Sequence, residues 1–88
     1  MKHHISFTPG AFESYKEWAT TDKQTFKKIN EIIQIIDRTP YEGIGKPEPL
    51  KYKLSGYWSR RITEEHRLVY SVNEAEVLIL SCKYHYQE

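Results

Sequence analysis

Three observations on this sequence predict an α+β fold, with two helices from the N-terminal half packed on one face of a twisted antiparallel sheet in the order β-α-α-β-β-β-β. Apolar residues recur at helical spacing as far as Ile36 and switch to a period of two after Pro49. Between the two regimes lies a stretch punctuated by Gly43, Gly45, Pro47 and Pro49. With 88 residues there is room for one hydrophobic core, so residues 1–88 are expected to form a single domain.

The elements follow in chain order. Ile5 and Phe7 alternate as in a short strand, and Thr8-Pro9 has the form of a helix cap followed by a first-turn proline. Phe12, Tyr15, Trp18 and Ala19 then give a first helix one apolar stripe. Thr21-Asp22-Lys23-Gln24 fits a capping box, opening a second helix whose stripe is Phe26, Ile29, Ile32, Ile33 and Ile36 and which Thr39-Pro40 stops. Residues 41–49 read as a loop. Leu50, Tyr52 and Leu54 alternate with Lys51 and Lys53 as a strand before Ser55-Gly56 turns the chain. Trp58 and Ile62 oppose Ser59, Arg61 and Thr63 in the next strand. After Glu64-Glu65, Leu68, Tyr70 and Val72 oppose Arg67, Val69 and Ser71. After Asn73-Glu74-Ala75, Leu78, Leu80, Cys82 and Tyr84 oppose Val77, Ile79, Ser81, Lys83 and His85.

This parity sorts the charges. If Leu68, Tyr70, Leu78 and Leu80 pack under the helices, then Lys51, Lys53, Arg61, Arg67, Lys83 and His85 face the other way. Arg60 breaks the pattern, falling on the helix side, where a place at the sheet rim would let its guanidinium reach water.

Composition narrows the function classes. A hydrophobic fraction of 39% and a charged fraction of 28% suit a folded globular chain. A net charge of only +1 argues against tight, sequence-independent binding of free nucleic acid, although Lys46, Lys51, Lys53, Arg60, Arg61, Arg67 and Lys83 make the second half locally basic. Cys82 is the sole cysteine, which precludes an intramolecular disulfide, and no signal-peptide layout opens the chain, so a cytoplasmic location is expected. No apolar run approaches the roughly 20 residues of a membrane span. His3, His4, His66 and Cys82 offer metal-binding atoms without a recognised ligand spacing, and no glycine-rich phosphate loop appears. Neither a metal nor a cofactor is expected.

Long ordered stretches carry a family resemblance: Thr21-Asp22-Lys23, Lys28-Ile29-Asn30-Glu31, Arg38 to Gly43, Gly45 to Lys51, Leu54 to Tyr70, and Cys82-Lys83-Tyr84-His85-Tyr86. On these the chain resembles the YoeB (Txe) family of bacterial toxin-antitoxin endoribonucleases, within the RelE superfamily. The resemblance implies a RelE-like fold and an mRNA interferase that cuts message in the ribosomal decoding site. It also implies a YefM-type antitoxin as partner, with a homodimer as a further expectation, and assigns catalytic roles to Glu48, Arg67, His85 and Tyr86. Gln87-Glu88 follow the tyrosine at which members of that family usually end.

The chemistry of these residue types suits RNA cleavage without a metal, which needs a base for the 2′-hydroxyl, a cation for the crowded phosphorane and an acid for the leaving 5′-oxygen. Glu48 fits the base, Arg67 the clamp and His85 the acid. Lys51, Lys53, Arg61 and Lys83 are candidate contacts to message or ribosomal RNA. Other readings stand beside these. Glu48 between two prolines is also what a solvated carboxylate looks like, Arg67 could pair with Glu65, and Tyr86 could stack on a base, orient the phosphate or simply end the strand. The competing function is a non-enzymatic, ParE-like toxin that blocks a protein target such as DNA gyrase, and the joint presence of Glu48, Arg67 and His85 speaks for the nuclease.

Overall fold

A computed structural model describes residues 1–84 of the chain. The order is β1 (His4–Phe7), α1 (Pro9–Thr21), α2 (Lys23–Arg38), β2 (Glu48–Pro49), a single 3-10 turn (Tyr52–Leu54), β3 (Trp58–Arg61), β4 (Arg67–Val72) and β5 (Glu76–Ser81). The strands form one sheet in the order β1-β5-β4-β3-β2. The expected two-helix, one-sheet architecture holds, and the sheet is mixed because β1 pairs with β5 in parallel. After β1 the chain crosses the sheet as two helices and re-enters at the far edge. The antiparallel meander β2-β3-β4-β5 then walks back until β5 lies beside β1.

Local chemistry sets the helix ends. Thr8 caps α1, its Oγ1 accepting the Ala11 N–H at 3.2 Å with Pro9 in the first turn. The cap of α2 is Asp22 rather than the expected Thr21; its carboxylate accepts the N–H and hydroxyl of Thr25 at 3.1 and 2.8 Å. These bonds hold the Asp22 carboxyl below the usual carboxylate range. Ile29, Ile32, Ile33 and Ile36 are buried as their spacing predicts, and with Ala11 and Trp18 they meet Leu68, Tyr70, Val77 and Ile79 from the sheet. Phe12 proves to be half-exposed beside that core, with the Lys16 ammonium over its ring.

Three local expectations are corrected. In β5 the core residues are Val77 and Ile79, not Leu78 and Leu80. Tyr70 pairs with Ile79 while the adjacent Val69 pairs with Ser81, so Leu80 is the extra residue of a β-bulge. The bulge changes phase, which returns Cys82 to the core side as expected. Second, Leu50 to Leu54 is not a strand. Leu50 is buried, but Tyr52 has a φ of 54° and is 80% exposed, and the amides of Leu54, Ser55 and Tyr57 bond back to Lys51, Tyr52 and Leu54. The chain curls, so Lys51 and Lys53 do not alternate on a sheet face. Third, Arg60 is completely buried instead of reaching water at a rim.

Candidate active site

Cross-strand register assembles the face of the sheet that points away from the helices. Trp58, Arg60, Leu68 and Tyr70 take the helix side, so their neighbours Ser59, Arg61, Arg67 and Val69 take the other. Glu48 pairs with Ser59, Ser59 with Val69, and Arg61 with Arg67. Glu48 and Arg67 therefore share one face, two strands apart and one pleat repeat along, about 10 Å across and ~7 Å along by standard sheet spacings. Buried Ser59 and Val69 form the floor between them.

Glu48 is exposed on a two-residue strand, and its position depends on the preceding loop. That loop is tied down by Arg60. The guanidinium donates from Nη2 to the Thr39 carbonyl at 2.7 Å, from Nη1 to the Ile44 carbonyl at 3.2 Å and from Nε to the Tyr70 hydroxyl at 3.1 Å. Tyr70 in turn donates to the Pro40 carbonyl at 2.7 Å, so its oxygen both accepts and donates. Burial raises the Tyr70 pKa and so favours the protonated phenol, while the hydrogen bond and charge of Arg60 act the other way. Two glycines admit this closeness. A Cβ on Gly43 (φ 115°) would lie 3.1 Å from Arg60 Nη1, and one on Gly45 (φ 86°) 3.0 Å from the Arg61 carbonyl. Gly45 then accepts the Arg61 N–H at 2.6 Å, fixing the backbone three residues before Glu48.

Arg67 is oriented from the opposite side. Its Nη1 donates to the carbonyls of Thr63, Glu64 and His66 at 2.7, 3.0 and 3.1 Å, so the arginine caps the β3–β4 turn. Glu65, considered as its partner, instead places a carboxylate oxygen 3.6 Å from His66 Nε2. The Arg67 amide bonds the Tyr84 carbonyl at 3.1 Å, and the Tyr84 amide bonds His66 Nδ1 at 2.7 Å. His85 and Tyr86 lie outside the described residues.

Of the basic residues expected beside them, Arg61 is exposed on the same face as Arg67, and Lys51 and Lys53 are exposed around the 3-10 turn. Lys83 lies elsewhere: past the bulge its ammonium turns to α1, 3.5 Å from Glu17 and within 6 Å of the ring centroids of Trp18 and Tyr84. Trp18 Nε1 donates to the Cys82 carbonyl at 2.9 Å, and burial pushes the Cys82 thiol up to about 11. His3 bonds Asp37, whose carboxyl is held down to about 2, chiefly by the Lys2 amide N–H and further by His3. Among the described residues no three His, Cys, Asp or Glu side chains are grouped to hold a metal.

Sequence reasoning missed two contributors, the buried Arg60–Tyr70 pair and His66. A signal for the first was present: an arginine at a core-parity position next to a Thr39–Ile44 loop needs oxygen partners, and loop carbonyls supply them. For His66 there was none, since its partner is a backbone amide 18 residues away.

Comparisons with known proteins converge. Residues 7–86 match the model of the YoeB-like toxin of bacterial type II toxin-antitoxin systems. Toxin YoeB of Escherichia coli O6:H1 is 62% identical over 76 residues, covering 86% of this chain and 90% of that protein. Among solved structures, the YoeB dimer from Staphylococcus aureus superposes with a TM-score of 0.92 at 55% identity, covering 98% of this chain and all of that one. The YoeB-YefM complex from the same organism gives 0.89 at 54% identity, with the same coverage.

Proposed function

Since this chain belongs to the YoeB-like toxin family of bacterial type II toxin-antitoxin systems, we propose that it is a ribosome-dependent endoribonuclease that cleaves message by metal-independent acid–base catalysis. The observation that carries this reading is the common face of Glu48 and Arg67, bounded by a rigid loop on one side and by the backbone of Tyr84 on the other. The Glu48 carboxylate takes the 2′-hydroxyl proton, the 2′-oxygen attacks the adjacent phosphorus, and the 5′-oxygen leaves with a proton from His85. Arg67 stabilises the charge that builds on the phosphorane, and Tyr86 orients the substrate. The products are a 2′,3′-cyclic phosphate and a 5′-hydroxyl. Each proton transfer contributes about 10²- to 10⁴-fold. Lys51, Lys53 and Arg61 contact RNA backbone. With a net charge of +1, the ribosome supplies much of the positioning, which can lower a barrier by up to about 7 to 11 kcal/mol.

The partners follow from the relatives: a YefM-type antitoxin, as in the Staphylococcus aureus complex, and a second copy of the chain, as in the dimer from that organism. Residues 1–88 act as one domain in the cytoplasm, where ribosome and message meet. No helix among the described residues is long and apolar enough to cross a membrane.

The test is to map 5′ ends on a defined message after incubation with purified protein, comparing programmed ribosomes, naked message and a Glu48→Ala/His85→Ala control. Cuts at the decoding site that need ribosomes and vanish in the control are expected. Freshly purified, folded protein that makes no cuts would overturn the nuclease reading in favour of a toxin that blocks a protein target.

A further inference from the structure

The last described residue, Tyr84, is held by both of its backbone polar groups. Its carbonyl accepts the Arg67 amide at 3.1 Å and its amide donates to His66 Nδ1 at 2.7 Å. The first bond is an ordinary strand-like contact. The second is not, because a side chain stands where a ladder carbonyl would. Tyr84 also has a φ of 62°, in the left-handed region that an aromatic residue rarely adopts.

The His66 side chain is built for this one task. It is 12% exposed, its ring set edge-on to Trp18 with centroids 4.9 Å apart and tilted against the Tyr84 ring at 5.4 Å. Its backbone is equally fixed: the amide bonds Thr63 Oγ1, and the carbonyl accepts from Ile62, Thr63 and the Arg67 guanidinium. A backbone amide can only donate, so the nitrogen facing it must carry a lone pair. That requires the tautomer with its proton on Nε2, the nitrogen nearest Glu65 Oε1.

We propose that His66 is a positioning residue for cleavage: by accepting the Tyr84 amide on Nδ1 it holds the backbone of Tyr84, the residue that precedes the proposed acid His85 in the sequence, against the start of β4. The proposal rests on the nuclease reading for its catalytic consequence, but the tether itself does not.

Two near-isosteric substitutions separate position from bulk. Asparagine places Oδ1 where histidine has Nδ1, whereas glutamine places its polar atoms nearer the Nε2 position. In wild-type protein the histidine nitrogen resonances should show Nδ1 unprotonated, and the Tyr84 amide should exchange slowly. His66→Asn should keep that protection and His66→Gln should lose it, while both unfold cooperatively. On programmed ribosomes, His66→Gln should lower single-turnover cleavage at saturation by about 10- to 100-fold with little change in KM, the scale of a misplaced reacting group, and His66→Asn should restore most of it. A proton found on Nδ1, Tyr84 protection surviving in His66→Gln, or full cleavage by that variant would overturn the proposal. If wild-type protein fails to cut message, the nuclease reading falls, and the nitrogen resonances and amide exchange still decide the tether.

Discussion

The two margins of the candidate site are secured in different ways. On the Glu48 side, a buried arginine gathers the carbonyls of Thr39 and Ile44 and the hydroxyl of Tyr70, which reaches the carbonyl of Pro40. On the C-terminal side, Tyr84 is held by two bonds, one to a backbone amide and one to an imidazole. The first margin is part of the core and the second is laid against it. The loop's position is thus bound up with the stability of the whole domain, whereas the hold on Tyr84 rests on two bonds at the margin of the core.

That contrast is most easily broken at Arg60. Replacing it with methionine keeps much of the volume but removes the three hydrogen bonds of a fully buried guanidinium, and a loss of about 2 to 4 kcal/mol in denaturant unfolding is expected. Arg60→Lys should rescue little, because a single ammonium cannot span three divergent oxygens. An unchanged midpoint for Arg60→Met would show that the loop stands without its clamp. Tyr70→Phe removes only the hydroxyl at the centre of the network and should cost less, about 1 to 2 kcal/mol.

The smallest effect is expected at Asp37, two residues before the clamped loop, where the carboxylate accepts the amides of Lys2 and His3 at 2.9 and 2.7 Å. Its pKa is depressed in the folded protein, from 3.8 to about 2, so its contribution to stability is present above pH 3.8 and is lost as pH falls toward 2. Asp37→Asn should melt below wild type at neutral pH, and the gap should close across that acidic window. A gap that stays constant with pH would remove the carboxylate charge from the account.

What the sequence made legible was whatever depends on a repeated signal. The isoleucines of α2 recur often enough to define both the helix and its buried face, and Thr8-Pro9 starts α1 by local chemistry alone. Parity placed Arg61 opposite the core and Arg67 with it, which register pairing bears out. The failures are single-residue events. One extra residue at Leu80 inverts the expected faces of Leu78 and Val77. One left-handed tyrosine, Tyr52, turns an alternating pattern into a 3-10 turn. Neither leaves a mark in hydrophobic periodicity. Arg60 was read correctly for side and wrongly for depth, because solvation by carbonyls depends on a loop fold that no spacing encodes.

The pairing of β1 with β5 bears on when the fold can close. Ser6 and Glu76 are hydrogen-bonded although 70 residues separate them, and β5 is the strand that joins β1 to the rest of the sheet. A nascent chain that has made both helices but not β5 has its isoleucine stripe ready and lacks Val77 and Ile79 to set against it. Because contacts of such long sequence separation form late and slowly, the sheet should close only once β5 has been synthesised. The face bearing Glu48 and Arg67 would then be completed only after β5 has joined β1 to the meander.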